Sequence, residues 1–388
     1  IKNFFHTNKI SSEKIDEYRE GLLRAKSSIN FFNLLIPKTL RILHVTNFNE
    51  RHDGRLFFNT GRRLNNGFIR LGHSVLEFSD RDIVKHYKSV KDYTGAKTLN
   101  QKLINTVYNY KPDLLIFGHA DLIKGETLSY LRDNYKNLKI AQWFLDPLIK
   151  DGPDYNKNRL RIMDKIQFTD SNFITTSPDV LNFLPQGKKC LFMPNPTDAS
   201  FEVLNNYENN YCSMDVFFAL SHGVHRGILK RGKYDERADF VNQLVEITPN
   251  VKFDLYGINN IQPIWADSFL KSISNAKMGV NLSRGSPIKY YSSDRITQLI
   301  GNGLLTFIHE DTHYSNFFTK NEVVFYKGIS ELSESIQRFA KNDNLRKKIA
   351  KKGKKKYMKY FNSTIVAEYI INNTFDISYN RNKYLWNK

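Results

Sequence analysis

The sequence predicts an α/β protein made of two doubly wound parallel sheets facing each other across a cleft, and length, alternation and one break carry that prediction. At 388 residues the chain exceeds one core at a prior of roughly 150 residues per domain. From Arg41 onward, short near-continuous apolar runs alternate with longer amphipathic ones. Runs of the first kind are strands buried on both faces of a sheet that helices wrap. The alternation breaks at LFMPNPTD (191–198), whose two prolines forbid a helix and mark an extended connection between the halves.

Each half repeats one grammar. In the first, RILHVTN (41–47) is a strand, 56–71 a helix ending at Gly72, and SVLEFSD (74–80) a second strand. DLLIFGH (113–119), KIAQWFLD (139–146) and FITTS (173–177) are later strands, with helices near 99–110 and 126–136. The second half reads as strands at 214–221, 251–257, 278–283 and 304–309, with helices at 237–245, 265–275 and 293–302. Three closing helices follow at 329–341, 344–360 and 363–373, the last placed to cross back to the first domain. The expected domains are a helical lead-in (1–38), a first domain (39–198), a second (199–360), and a crossing helix with tail (361–388).

Composition narrows the class. Forty per cent hydrophobic and 13% aromatic residues exclude a disordered chain. Cys190 and Cys212 have no neighbour at metal or redox spacing, the opening IKNFFHTNKISSEKIDEY lacks the apolar core of a secretory signal, and no run approaches the ~20 apolar residues of a membrane span. A cytoplasmic protein, peripheral at most, is expected. The 58 basic against 39 acidic residues give +19, a surface that attracts nucleic acid, anionic headgroups or phosphorylated substrates. Part of the excess lies in Arg346–Lys359, either a solvated helix face or a patch held against an anionic inner leaflet.

Ligands of open parallel sheets gather at the carboxyl ends of the strands, so the residues just after each strand are the candidates. After 214–221, Gly223, Gly227 and Gly232 surround His222, His225, Arg226, Lys230 and Arg231, which suits a phosphate or an ordinary basic loop. After 278–283 comes the densest cluster, SRGSPIKYYSSDRITQLIGNG (283–303). A turn with Gly285 and Pro287 precedes Lys289, Tyr290 and Tyr291; Ser292, Ser293 or Asp294 caps the next helix; Arg284, Lys289 and Arg295 add whole positive charges. A helix cap and terminator explain part of this. They do not require a Gly-Pro turn, three cations and two tyrosines, which together suit a nucleotide diphosphate.

The stretch DRITQLIGNGLLTFI, with NEVVFYKGISELSESIQRFAKNDNLRKKIAKKGKKKYMKYFNS after it, resembles the carboxyl-terminal domain of GT-B glycosyltransferases. The likeness is to the CgeB-like and group 1 glycosyl transferases; it covers about residues 210–375, and the first domain only in architecture. It implies two Rossmann-like domains and a nucleotide-sugar donor used as substrate, with no resident cofactor. By the same resemblance Arg295 falls on the family's Arg, Gly303 on its Gly, and Gln298 on the acid that accepts hydrogen bonds from the donor ribose. Glutamine lacks that charge, so the nucleotide stays open. The earlier acid of many retaining members has no counterpart between Arg284 and Tyr290, so retaining and inverting chemistry both stay open.

Transfer also needs a group on the acceptor side to take the hydroxyl proton. The loop NFNERHDGRLFFNTGRR offers Glu50, His52 and Asp53; Asp146 follows a strand and precedes Pro147; His119 ends DLLIFGH. The helix-cap and core readings of these residues stand beside the catalytic one. No metal-ligand constellation is read, so metal-independent transfer is expected. The leading function is sugar transfer to a glycan or lipid-linked acceptor in surface polysaccharide or glycoconjugate assembly, with no nucleic acid as partner. The competing classes are a sugar-nucleotide epimerase or hydrolase on the same fold, and a basic nucleic-acid- or membrane-binding protein without catalysis.

Overall fold

A computed structural model describes residues 39–152, 154–220, 224, 225, 228, 229 and 235–387. The lead-in (1–38), Arg226 and Lys230 lie outside the described residues. Among the described residues six strands form the first sheet: β1 (Arg41–Thr46), β2 (Ser74–Ser79), β3 (Leu114–Gly118), β4 (Lys139–Phe144), β5 (Ser171–Ile174) and β6 (Cys190–Phe192). They run in the order β2-β1-β3-β4-β5-β6, all parallel. The second half holds β7 (Met214–Ala219), a short antiparallel pair β8 (Val224–His225) and β9 (Ile228–Leu229), β10 (Phe253–Tyr256), β11 (Ala276–Asn281), β12 (Leu305–His309) and β13 (Val324–Tyr326). Its parallel sheet has the order β10-β7-β11-β12-β13.

The two sheets follow from the apolar runs. β3 is buried along its whole length, and its side chains meet Leu43, Val45, Leu103 and Leu128 in one core. Val216, Phe218, Met278, Val280, Leu305 and Phe307 form the other, closed by Val241, Leu332 and Ile336 from helices. Side-chain caps start the flanking helices. Asn59 accepts from Arg62 N at 3.0 Å ahead of Thr60–Arg70, and Asn362 accepts from Ile365 N at 3.0 Å ahead of Ser363–Thr374. As expected, that last helix returns to the first sheet and lies on Thr60–Arg70. Gly67 permits the crossing, because a Cβ there would stand 2.1 Å from the Ser363 carbonyl oxygen.

Several expectations shift. The helix anticipated at 56–71 begins at Thr60, because residues 50–58 make turns and Asn59 caps. Residues 190–192, expected as part of a strandless connection or just before it, pair with β5 as an edge strand. SVLEFSD stops as a strand at Ser79, and Asp80 opens the helix Asp80–Tyr87, where acidic residues in the first turn complement the helix dipole. That helix, Tyr155–Ile166 and β13 were not expected from the pattern: Tyr155–Ile166 carries few apolar residues among Asn, Lys and Arg, and β13 is three residues long.

Behind the cleft, the chain crossing from β6 to β7 is held by buried charge. Arg63 and Glu202 are 1% and 2% exposed. Arg63 Nε and Nη2 donate to Glu202 at 3.3 and 2.5 Å, and Thr197 Oγ1 and Asp198 N donate to the same carboxylate at 3.1 and 2.7 Å. Arg70 and Ser363 donate to Asp198 beside it. Removing one partner of such a pair strands a buried charge. Arg63→Met is therefore expected to lower stability by about 3–5 kcal/mol, read as the urea unfolding midpoint, and Arg63→Met combined with Glu202→Met to recover much of the loss.

Candidate active site

The carboxyl ends of both sheets face each other across shared cavities. A cavity of about 330 Å³ is enclosed by the ends of β1, β3 and β4 and by the starts of the helices Thr60–Arg70 and Asp80–Tyr87, with Asp294 of the second half on its wall. Asp294 also lines a second cavity, of about 250 Å³, between Arg55, Phe58 and Asn59 on one side and Trp265, Arg295 and Gln298 on the other. A third, of about 420 Å³, lies at the ends of β11, β12 and β13 and includes Arg237, Ser283 and Gly285.

Arg295 is fixed by backbone. Its Nη1 donates to Leu282 O at 2.6 Å and Ser293 Oγ at 3.2 Å, and its Nη2 to Ala219 O at 3.0 Å. The guanidinium thus joins the carboxyl ends of β7 and β11 and lies over the Phe218 ring. Of its five donors, Nε–H and one Nη2 proton make none of these bonds. Burial, with Arg237 close by, lowers its pKa to about 10, so it stays charged at neutral pH. Gln298 is one turn further along the same helix, on the wall of the second cavity beside Trp265.

The rest of the predicted donor cluster divides. Arg284 pairs with Asp154 and Lys289 with Asp179, so both cations reach carboxylates of the first half. The bond to Asp179 raises the Lys289 pKa. Tyr290 lines a separate hollow with Phe317 and Trp386. Ser292 is buried, and its hydroxyl donates to Asn281 Oδ1 at 3.1 Å, which ties the loop to β11. Arg237, absent from the sequence candidates, is held by Asp235 at 2.8 and 2.7 Å on the wall of the third cavity.

On the first half, a buried chain sets the wall. Trp143 Nε1 donates to His44 Nε2 at 3.0 Å, which leaves His44 Nδ1–H for Asn65 Oδ1 at 3.2 Å. Burial lowers the His44 pKa to about 4, so the imidazole stays neutral. The Trp143 indole lies across Gly118, where a Cβ would stand 2.0 Å from the ring. It meets the His119 ring edge-on at 5.9 Å. His119 and Ala120 both hold left-handed backbone, φ 63° and 48°, a strained turn of the kind found at functional sites.

His119 Nδ1 stands 3.6 Å from Asp146 Oδ2. Arg161 donates to Asp146 at 2.9 Å and to Asp121 at 2.8 Å, and Arg81 donates to Asp121 at 3.2 Å. Burial lowers the His119 pKa, which keeps the ring neutral and able to accept a proton. The structure therefore brings Asp146 and His119 together on the first cavity. His52 and Asp53 line none of these three cavities. His52 Nδ1 is 3.3 Å from Arg55 Nη2, with a pKa lowered by burial and by Arg51 and Arg55, and Asp53 is exposed. Glu50 is also exposed; its backbone N–H donates to Asp82 at 2.8 Å.

Residues 236–372 match the family described as "Glycosyl transferase-like". The second half carries a glycosyl-transferase-like domain. No curated protein matches the chain in sequence. In fold, this chain is similar to sucrose-phosphate synthase from Thermosynechococcus elongatus, with a TM-score of 0.60 at 11% identity over 87% of this chain and 100% of that one. It is similar to a glycosyltransferase from Rickettsia africae at 0.54 and 11%, over 88% and 99% of the chains. It is also similar to Anabaena HepE, solved with UDP and glucose, at 0.53 and 10%, over 87% and 100%. The two sheets and their connection are the GT-B architecture. The family matched is the general one, not the CgeB-like group.

Asp80 and Asp82 have Asp-x-Asp spacing, yet their carboxyl groups diverge. Asp82 binds the Glu50–His52 turn through Glu50 N and Arg51, whereas Asp80 lines the first cavity, 2% exposed, with Oδ1 unpartnered. Burial outweighs the pull of Arg81 and lifts its pKa to about 6. The folded state thus binds this proton more tightly than the unfolded one. The group favours folding fully below pH ~4, and that contribution fades as pH rises through ~6. Asp80→Asn is expected to stabilise the protein by up to about 3 kcal/mol at pH 8. The gain should vanish near pH 4, with melting temperature against pH as the measurement.

Proposed function

We propose that this chain transfers a sugar from a nucleotide-sugar donor to a hydroxyl of a glycan or lipid-linked acceptor, in the assembly of a surface polysaccharide or another glycoconjugate. One observation carries the reading: Arg295, Gln298 and Asp294 of the glycosyl-transferase-like domain face His119 and Asp146 across adjoining cavities. HepE, similar in fold, was solved with UDP and glucose, which supports a nucleotide-sugar donor. In the reaction the bond from the anomeric carbon to the phosphate oxygen breaks and one to the acceptor oxygen forms. The electron pair leaves with the nucleotide. We assign Arg295, with Arg237 behind it, to the leaving phosphate, Gln298 to the ribose, and the His119–Asp146 pair to the acceptor proton.

Among the described residues no helix is long and apolar enough to cross a membrane. The helix Asp343–Tyr360 turns Lys348, Lys352, Lys355 and Lys359 outward at spacings of four, three and four, which is one helical face. Arg346, Lys354 and Lys356 of the same run bond instead to Asp343, Asn205 and Glu322. We assign the outward face to an anionic membrane surface, at about 1 kcal/mol per lysine.

Two measurements test these readings. In a thermal-shift screen of UDP-, GDP-, dTDP- and CMP-sugars, one nucleotide class is expected to raise the melting temperature. Gln298→Ala is expected to weaken that donor about tenfold, the loss of one ribose hydrogen bond. No shift with any donor overturns the transferase reading. Vesicles of phosphatidylglycerol, but not phosphatidylcholine, are expected to co-sediment the protein at low salt, and Lys348→Glu with Lys352→Glu and Lys355→Glu to abolish it.

A further inference from the structure

The first cavity contains more than the transfer step uses. Asp80 stands on its wall, 98% withdrawn from solvent by its 2% exposure, and Oδ1 has no hydrogen-bond partner. An unmade bond at a buried carboxyl costs stability and persists where a ligand completes it. Asp82, in the first turn of the helix Asp80–Tyr87, is taken up by Ser79, Glu50 and Arg51. The Asp80 carboxyl, by contrast, takes a backbone hydrogen bond from Arg81 and leaves Oδ1 unpartnered.

The charges of the cavity say what would complete that bond. Asp80, Asp146 and Asp294 line it, against Arg81 and Arg161. Both guanidinium groups are bound to carboxylates, Arg161 to Asp146 and Asp121, Arg81 to Asp121. A phosphate entering here would meet three carboxylates and cations already neutralised, whereas a hydroxyl group would find acceptors in those carboxylates and in Asn47 and Asn59. We infer that this cavity is the acceptor subsite, that it takes an uncharged polyhydroxylated sugar, and that Asp80 accepts a hydrogen bond from one of its non-reacting hydroxyls. This rests on the glycosyl-transfer reading, with the reacting hydroxyl directed to the His119–Asp146 pair.

The test pairs acceptors of both kinds. With the donor class found by thermal shift, transfer is measured to methyl and octyl glycosides of glucose, galactose, mannose and N-acetylglucosamine, and to the corresponding 6-phosphates. The expected result is that kcat/KM for the best neutral acceptor exceeds that of its phosphate about a hundredfold. Asp80→Asn should raise the acceptor KM at least tenfold, leave the donor KM within twofold, and melt no lower than the parent at pH 8. An acceptor KM unchanged in Asp80→Asn, phosphates used as well as neutral sugars, or no transfer to any neutral acceptor by a protein that binds donor would each overturn the inference. Absence of donor binding in the parent would instead defeat the transferase reading beneath it.

Discussion

The buried pair Arg63–Glu202 is the interaction on which the cleft depends. Arg63 belongs to the helix Thr60–Arg70, whose first residues line the cavity of the first half. Glu202 belongs to the crossover, which also holds the helix Arg295–Gly301: Thr297 Oγ1 donates to Pro196 O at 3.1 Å, and Asn195 Nδ2 to Ser292 O at 2.8 Å. The elements that present Asn59 and Thr60 on one side and Asp294, Arg295 and Gln298 on the other are therefore tied together behind the cleft. A charged pair desolvated this far contributes little net stability compared with apolar packing. Its directional bonds fix how the two halves face each other, which an apolar contact specifies less sharply.

That facing was legible in the sequence to the extent that it follows from parallel sheets. Runs such as LLIFG and the FFA of β7 are apolar without alternation, which strands buried on both faces require and surface strands do not. The carboxyl-end rule points to Asp146, His119, the Glu50–Asp53 loop and the 283–303 loop alike. The pattern failed where an element is short or polar. β6 and β13 are three residues each, and their place is set by neighbouring strands rather than by their own composition.

Side-chain partners were less legible, for a physical reason. Arg284 and Lys289 sit in a loop whose charge suits a phosphate, but their long side chains reach Asp154 and Asp179, 130 and 110 residues away in the chain. Sequence spacing does not report such encounters. Asp80 is the converse. The sequence pattern places it at the end of a strand, whereas the structure opens a helix there and buries the carboxyl on the wall of the first cavity. Asp80 and Asp82 stand two apart in the sequence, but the helix sends one carboxyl to the cavity and the other to the Glu50–His52 turn.

The walls of the cleft differ in charge in a way that fits the two substrates of the proposed transfer. The second half offers Arg295 and Arg237, each held by oxygen atoms of its own domain. A donor brings its negative charge to that wall, and the charge grows as the nucleotide leaves, so fixed cations favour the transition state over the ground state. The first half offers carboxylates, the neutral His119 ring, and two arginines already paired with carboxylates. Such a wall repels the nucleotide, accepts hydrogen bonds from hydroxyls, and can take up a proton. Had both walls been cationic, no carboxylate would have been there to accept hydrogen bonds from the acceptor hydroxyls; had both been anionic, the donor would not have bound. Asp294, shared by the two cavities, marks where one requirement gives way to the other.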